Sequence, residues 1–292
     1  MPLAVIVYLE FVGIYILLVW AIYLPFRGGQ LYNGPFYCMA IGAYTAGYAA
    51  RDLNWPTGLA LLLALVVGAI AGFLPSLAFS RTTGIVTAAA SLALIFIIQA
   101  VIRNAEFVGG GQGMWSIPRM EYLPIIIWVS VLLVGLFIYR IDSSRLGRAL
   151  EAMRTDPDLA KTLGMNLPWI SVFVMTVASV IGALAGVFYT FTIRALTADS
   201  FGFALLLNTM AMLFIGGRYT MWGGLISAPI LWGLPTWAPP LVAPYINIII
   251  GALLVIVLVL RPEGFVSREM IQGLKVQIAS WFRPHAEKSN ID

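Results

Sequence analysis

The sequence predicts an all-α integral membrane protein, a polytopic helix bundle of about nine transmembrane helices (eight to ten) with some broken helices. Three observations lead there. The 292-residue chain is 61% hydrophobic and 10% charged, with a mean hydropathy of +0.93. Soluble domains lie near about 45–50% apolar, and one this apolar would expose patches larger than monomers tolerate. Runs such as "IIIWVSVLLVGLFIY" (125–139) and "INIIIGALLVIVLVL" (246–260) do not alternate apolar and polar residues, as barrel strands would. The charges gather between such runs, above all in one dense island at 143–166.

Taken in order, residues 3–25 form the first span. It carries a single acid, Glu10, read as snorkelling to the interface rather than as a proton-coupling group. No basic stretch precedes it, so it reads as a retained anchor rather than a cleaved signal. The second span, 31–50, opens with Asn33-Gly34-Pro35 and contains Gly42 and Gly47, which predicts a broken or re-entrant helix. Residues 57–79, 84–102 and 122–139 are three further spans. The span 168–192 opens at Pro168 and includes "GALAG" (182–186), a small-residue patch suited to close helix packing. Residues 203–217 follow, then 221–238, interrupted by Gly223-Gly224, Pro229 and Pro235 and again read as broken or re-entrant, then 245–260. In the tail, Met270, Ile271, Leu274, Ile278, Trp281 and Phe282 recur at helical spacing, which predicts an amphipathic helix on the membrane surface. Residues 1–266 are thus the membrane domain and 267–292 an amphipathic tail.

The net charge of +4 and pI near 9.3 are explained by basic residues in cytoplasmic loops, not by nucleic-acid binding. If the island is cytoplasmic and the spans alternate, only Arg51, Arg103, Arg119 and Arg194 lie outside, out of 17 Lys and Arg. That bias places the C-terminus in the cytoplasm and, with nine spans, the N-terminus outside. Cys38 is the one cysteine and His285 the one histidine, so an intrachain disulfide, a metal cluster and a histidine-based triad are all excluded. No G-x-x-x-x-G-K-[ST] loop is present, so the chain does not hydrolyse ATP itself. No enzyme activity and no cofactor are expected.

The island has helical logic. Ser144 precedes "RLGRALEAMR", which puts Leu146, Ala149, Leu150 and Met153 on one face. Thr155 or Asp156 can cap a second helix with Pro157 in its first turn. Asp158 near its start and Lys161 near its end suit the helix dipole, and Gly164 is a natural stop. Leu159, Ala160 and Leu163 form a small apolar face. Either this is an ordered surface for a partner or it is a solvated charged loop.

The stretch "GRALEAMRTDPDLAKTLGMN" (147–166) resembles the cytoplasmic coupling loop of permeases of branched-chain amino-acid ATP-binding-cassette importers, especially the M-type subunit. The resemblance continues in "AIGAYTAGYAA" (40–50), in 82–118, in "DSFGF" (199–203), in "FIGGRYTMWGGLISAP" (214–229) and in "LRPEGF" (260–265), in order and spacing across roughly residues 30–266. Gln112 and Gln99 stand where the family often has acids. The resemblance implies a permease domain in a bacterial inner membrane. Its implied partners are a homologous H-type permease, two cytoplasmic ATPases, a periplasmic substrate-binding protein and membrane lipid. It implies that Glu151, Arg154, Asp156, Pro157, Asp158, Leu159, Ala160, Leu163 and Gly164 couple to the ATPases. The implied cargo is a branched-chain or other hydrophobic amino acid. Urea or short amides are the alternative, and a motor-independent secondary transporter is a further one that would need intramembrane charge.

Polar groups inside spans are costly and therefore candidates for the substrate path: Asn33, Thr45, Thr87, Ser91, Gln99, Asn208, Thr209 and Ser227. The amides of Gln99 and Asn208 stand out because each has four hydrogen bonds to satisfy, whereas Ser and Thr commonly bond their own helix. Gly110, Gly111 and Gln112 lie in a glycine run whose backbone can approach a ligand closely, or which forms a turn that meets a delivery protein.

Overall fold

The structure is a computed structural model that describes residues 3–82, 84–237, 245–261 and 264. The predicted tail helix lies outside the described residues. The described chain is helical: α1 (Leu3–Arg27), α2 (Gly34–Arg51), α3 (Thr57–Phe79), α4 (Gly84–Asn104), α5 (Leu123–Ser143), α6 (Arg145–Thr155), α7 (Pro157–Thr162), α8 (Leu167–Ile193), α9 (Phe203–Gly216), α10 (Met221–Trp237) and α11 (Ile246–Leu260). Short 3-10 turns occur at Glu106–Val108, Gly110–Gln112 and Ala198–Phe201. Helices begin where the sequence supplies starts: Gly34-Pro35 opens α2, Leu123-Pro124 opens α5, and Asn166 caps α8 by accepting from the Trp169 amide.

The fold class is as expected, an all-helical polytopic membrane bundle. Among the described residues, six stretches are long and apolar enough to cross a membrane: Ala4–Arg27, Thr57–Phe79, Gly84–Asn104, Leu123–Ser143, Leu167–Ile193 and Ala198–Gly216. That is fewer than the nine expected, for a physical reason. Helix α2 is 18 residues long but rich in Gly, Ala and Tyr, and 14 of those residues are buried among other helices, so it needs little lipid-facing apolar surface. The described parts of α10 and α11 have 17 and 15 residues, against the roughly 20 that a hydrocarbon core about 30 Å thick takes at 1.5 Å per residue. The interruptions also differ from expectation. Both α2 and α10 run unbroken, prolines included. The break instead separates the 3-10 turn Ala198–Phe201 from α9, at Gly202.

Helices α2 and α8 form the centre, flanked by α1 and α3. Their contact is backbone to backbone. A Cβ at Gly182 or Gly186 would collide with the Pro35 or Met39 carbonyl, and one at Gly42 with the Ala183 backbone. The "GALAG" patch therefore packs as predicted. A second group, α9, α10 and α11, packs on the other side of α1. Trp20 donates to the Met221 carbonyl at 2.8 Å and Tyr8 to the Pro229 carbonyl at 2.8 Å, which aligns α1 and α10 antiparallel. The apolar windows of α1 and α8 are 67% buried, those of α3, α4 and α5 only 22–28%. The latter three turn most of their apolar surface outward, to lipid or partner helices.

The connections sort to two ends. One end gathers Arg27, α6–α7, Gly217–Tyr219 and Gly264. The opposite end gathers the N-terminal part of α1, the glycine run 109–113, Arg119, Arg194 and Asp199. Arg51, Arg103, Arg119 and Arg194, the four cations expected to lie apart from the island, do so.

Candidate functional site

At the first end the island is two capped helices. The Ser144 hydroxyl accepts from the Leu146 amide to start α6. Asp156, not Thr155, caps α7: its carboxylate accepts from the Asp158 and Leu159 amides at 3.1 and 3.0 Å. The Thr155 hydroxyl turns back to the Glu151 carbonyl. Lys161 pairs with Asp158 at 2.9 Å along the helix, and Gly164 ends it at φ +79°. The apolar face splits in two. Ala160 is buried against the bundle, whereas Leu159 and Leu163 are 57% and 70% exposed. Trp169, one turn into α8, is also exposed.

These helices are fastened to the spans by residues that the sequence reading passed over. Arg27, at the end of α1, forms a salt bridge with Asp142 and reaches Glu151 at 4.0 Å. Tyr23 donates to Asp142 at 2.9 Å. Arg154 pairs with Glu151 at 3.8 Å and stacks 4.4 Å from the centre of the Tyr219 ring, in the α9–α10 turn; Arg218 stacks on the same ring at 4.6 Å. Gly28 lets Met153 and Leu150 of α6 lie against the α1–α2 turn, where a Cβ would meet Met153 at 2.7 Å. Helix α7 packs on α6 and α8, and α6 in turn contacts α1, α5 and, through Arg154, the α9–α10 turn. Arg27 beside an aromatic-rich helix end was the available signal, but its acid lies more than a hundred residues away in sequence.

The path candidates do not gather in one place. On α4, Ser91 is buried and accepts from the Asn33 amide at 3.1 Å; Asn33 donates its side-chain amide to the Ala88 carbonyl. Gln99 is buried and donates to the Ala198 carbonyl at 2.9 Å, holding the 3-10 turn against α4. Thr87 bonds Thr82 at 2.7 Å. Thr209 is buried on α9 and bonds the Leu205 carbonyl of its own helix, while Asn208 is half-buried beside it. Thr45 is half-buried on α2. Ser227 is buried with its hydroxyl unbonded. Helix α4 packs on α2 and the 3-10 turns, and α9 on α10, α11 and α1, so the two amides belong to different layers.

At the opposite end the glycine run folds into a tight double turn. Gly109, Gly110 and Gly113 take φ of +92°, +52° and +80°, left-handed values that favour glycine. Met114 and Leu196 exchange backbone hydrogen bonds at 2.8 Å, fixing the run on the end of α8. Gly110 is buried; Gly111 and Gln112 face outward. Beside this turn is a cavity of about 740 Å³ between the first turns of α1, residues 119–124 and the end of α8. Glu10 lines it and is only 6% exposed. This differs from the snorkelling reading: the acid lies in a cavity whose wall it shares with Arg119, Thr192 and Arg194 from distant segments. The signal was present in the sequence, a lone acid and two of the four cations of that end, but nothing local joins them.

The chain matches the model of the family described as "Branched-chain amino acid transport system / permease component" over residues 5–258. It is 26% identical over 268 residues to the high-affinity branched-chain amino acid transport system permease protein LivM of Salmonella typhimurium, covering 79% of this chain and 62% of that protein. It is 25% identical over 265 residues to the Escherichia coli protein of the same name, again with 79% and 62% covered. The galactofuranose transporter permease protein YtfT of Escherichia coli is 25% identical over 257 residues, 81% of this chain and 72% of that protein. The chain thus spans 62% of the length of the two branched-chain relatives. No solved structure gives a significant match.

Proposed function

Because the chain belongs to the branched-chain amino acid transport system permease family, we propose that it is the membrane-spanning permease subunit of an ATP-binding-cassette importer, carrying branched-chain or other hydrophobic amino acids across a bacterial inner membrane. It pairs with a homologous H-type permease, receives cargo from a periplasmic substrate-binding protein and is driven by two cytoplasmic ATPases. The island end and the C-terminus face the cytoplasm.

One observation carries this reading. Leu159 on α7 and Leu163 at its C-cap stand exposed; α7 is capped by Asp156 and packs on α6, which the Glu151 and Arg154 contacts fasten to α1 and the α9–α10 turn. Holding apolar side chains in water on an ordered loop costs conformational entropy that a partner surface offsets. Leu159 and Leu163 seat in an ATPase groove. Asp156, Pro157, Asp158 and Gly164 set the start and end of the helix, and Ala160 anchors it to the bundle. ATP-driven closure of the motor then moves α7, and the ties behind it tilt α1, α5 and the α9–α10 turn.

For the path, Asn208 and Ser227 face the cargo, while Ser91, Gln99 and Thr209 hold its walls, since the polar groups of those three are bonded to backbone or to their own helix. Gly110, Gly111 and Gln112 supply the turn that meets the binding protein. The test is uptake by the assembled complex in vesicles. ATP-dependent import of L-leucine is expected. Import of galactofuranose or urea without leucine would replace the cargo, and leucine entry through this chain without ATPases would replace the mechanism.

A further inference from the structure

We propose that the cavity at the end opposite the island binds the headgroup of a zwitterionic α-amino acid, with the Glu10 carboxylate taking the ammonium and Arg119 and Arg194 taking the carboxylate. The proposal rests on the amino-acid permease reading and adds a site to it.

The geometry is that of an unfilled charge pair. Glu10 is 6% exposed and lines the cavity wall. Among the described residues no Lys or Arg nitrogen comes within 4.0 Å of its carboxylate, although Arg119 and Arg194 line the same cavity. The Thr192 hydroxyl faces it without a well-formed hydrogen bond. A buried acid this close to a cation normally closes onto it, because an unpaired buried charge is costly. Here a gap is kept open. The cations sit at the rim: Arg119 and Arg194 are exposed, and Arg194 is aimed by its left-handed backbone and by the bond from its Nε to the Ile117 carbonyl at 2.9 Å.

The arrangement selects its ligand by charge. The buried acid Glu10 and, at the exposed rim, Arg119 and Arg194 with a second acid, Glu121, suit a molecule that enters ammonium first and leaves its carboxylate with the rim guanidiniums. A simple cation meets the rim arginines, a simple anion meets Glu10, and a neutral sugar desolvates both charges without countering either. The volume of about 740 Å³ lies within the roughly 300–1,000 Å³ of small-molecule sites. Ile6, Val7 and Phe191 supply an apolar wall for the side chain.

The experiment measures binding of radiolabelled L-leucine to the full chain in nanodiscs, with N-acetyl-L-leucine (no ammonium), L-leucinamide (no carboxylate) and D-galactose as competitors. The wild-type chain should prefer leucine to each. Glu10→Gln should weaken leucine by about 10- to 100-fold, the range for losing a hydrogen bond to a charged group, and should erase the preference over N-acetyl-leucine while keeping much of the preference over leucinamide. Arg119→Gln should do the reverse. Glu10→Asp should restore part of the binding, and equal recovery of folded chain for all variants separates a binding effect from misfolding. Much stronger displacement by a different zwitterionic amino acid than by unlabelled leucine, with the same charge dependence, would leave the site standing and overturn the branched-chain cargo. Unchanged leucine binding in Glu10→Gln and Arg119→Gln, or no leucine binding in the wild-type chain, would overturn the site. Uptake by the assembled complex then decides the transport reading separately.

Discussion

At the island end Arg27 and Arg154 are engaged by acids and an aromatic ring while Leu159 and Leu163 are left exposed; at the opposite end Met114, Ile117 and Leu196 are packed and the Glu10 carboxylate has no cation within 4.0 Å among the described residues. Arg27 meets Asp142, Arg154 stacks on Tyr219, and Leu159 and Leu163 project outward. Across the bundle, Met114, Ile117 and Leu196 are fully buried while Glu10 lines an open cavity. The contrast separates two tasks. A surface that receives force needs internal ties and an apolar face for a protein partner. A surface that receives a small polar cargo needs charges held apart from one another until the cargo arrives. Between them, α2 and α8 touch backbone to backbone and link the two ends as one body.

The largest effect should come from that shared link. Gly186→Leu drives a side chain into the Met39 carbonyl, with no flexible neighbour to yield. The chain should fail to be recovered as a monodisperse species from detergent, while Gly251→Ala, where nothing lies within 4 Å, should be recovered normally. Equal recovery of both would mean that the close approach of α2 and α8 is dispensable.

Next is the tie at the island end. Arg27→Ala leaves Asp142, whose side chain is 18% exposed, without its cation, at a cost of about 3–5 kcal/mol for breaking a buried pair from one side. Thermal unfolding in detergent should show a clear loss of stability. The double variant Arg27→Met with Asp142→Asn should regain most of it, because neither charge is then stranded. Equal instability of single and double variants would show that packing, not the ion pair, holds α5 to α1.

A smaller, local effect should follow from the cap. Asp156→Ala removes the acceptor for the Asp158 and Leu159 amides, worth about 1 kcal/mol. Hydrogen exchange at residues 158–163 should quicken while α8 stays protected. Unchanged exchange would assign the order of α7 to its contacts instead of its cap.

Much of this was readable in the sequence, and the boundaries show why. The spans 57–79, 84–102 and 168–192 agree with α3, α4 and α8 to within two residues, because uninterrupted apolar runs and proline starts are local signals. The two island helices and their stop at Gly164 were legible for the same reason. The glycines and prolines of 31–50 and 221–238 misled. They predict broken helices, but neighbouring helices bury those segments and satisfy the backbone, so the helices continue. What stayed hidden was pairing across distance. Arg27 with Asp142 and Arg154 with Tyr219 join segments whose meeting depends on how the helices stack, as does the shared cavity of Glu10, Arg119 and Arg194. Gln99 shows the opposite limit: it was singled out as a substrate-path candidate, and its amide donates to the Ala198 backbone, a partner that no side-chain pattern displays.

The central claim is that α7 is the seat of a motor, and one comparison tests it most directly. Leu159→Asp puts a charge on the exposed apolar face, whereas Lys161→Gln alters a solvated ion pair on the same helix, of a kind that contributes little. Both changes lie outside the spans, so both variants should reach the membrane at wild-type levels. The measurement is retention of the ATPases on co-purification, together with substrate-stimulated ATP hydrolysis in reconstituted vesicles. Leu159→Asp should lose most of the bound ATPase and the stimulation, and Lys161→Gln should keep both. Full retention and full stimulation in Leu159→Asp would contradict the account and place the motor elsewhere on the molecule.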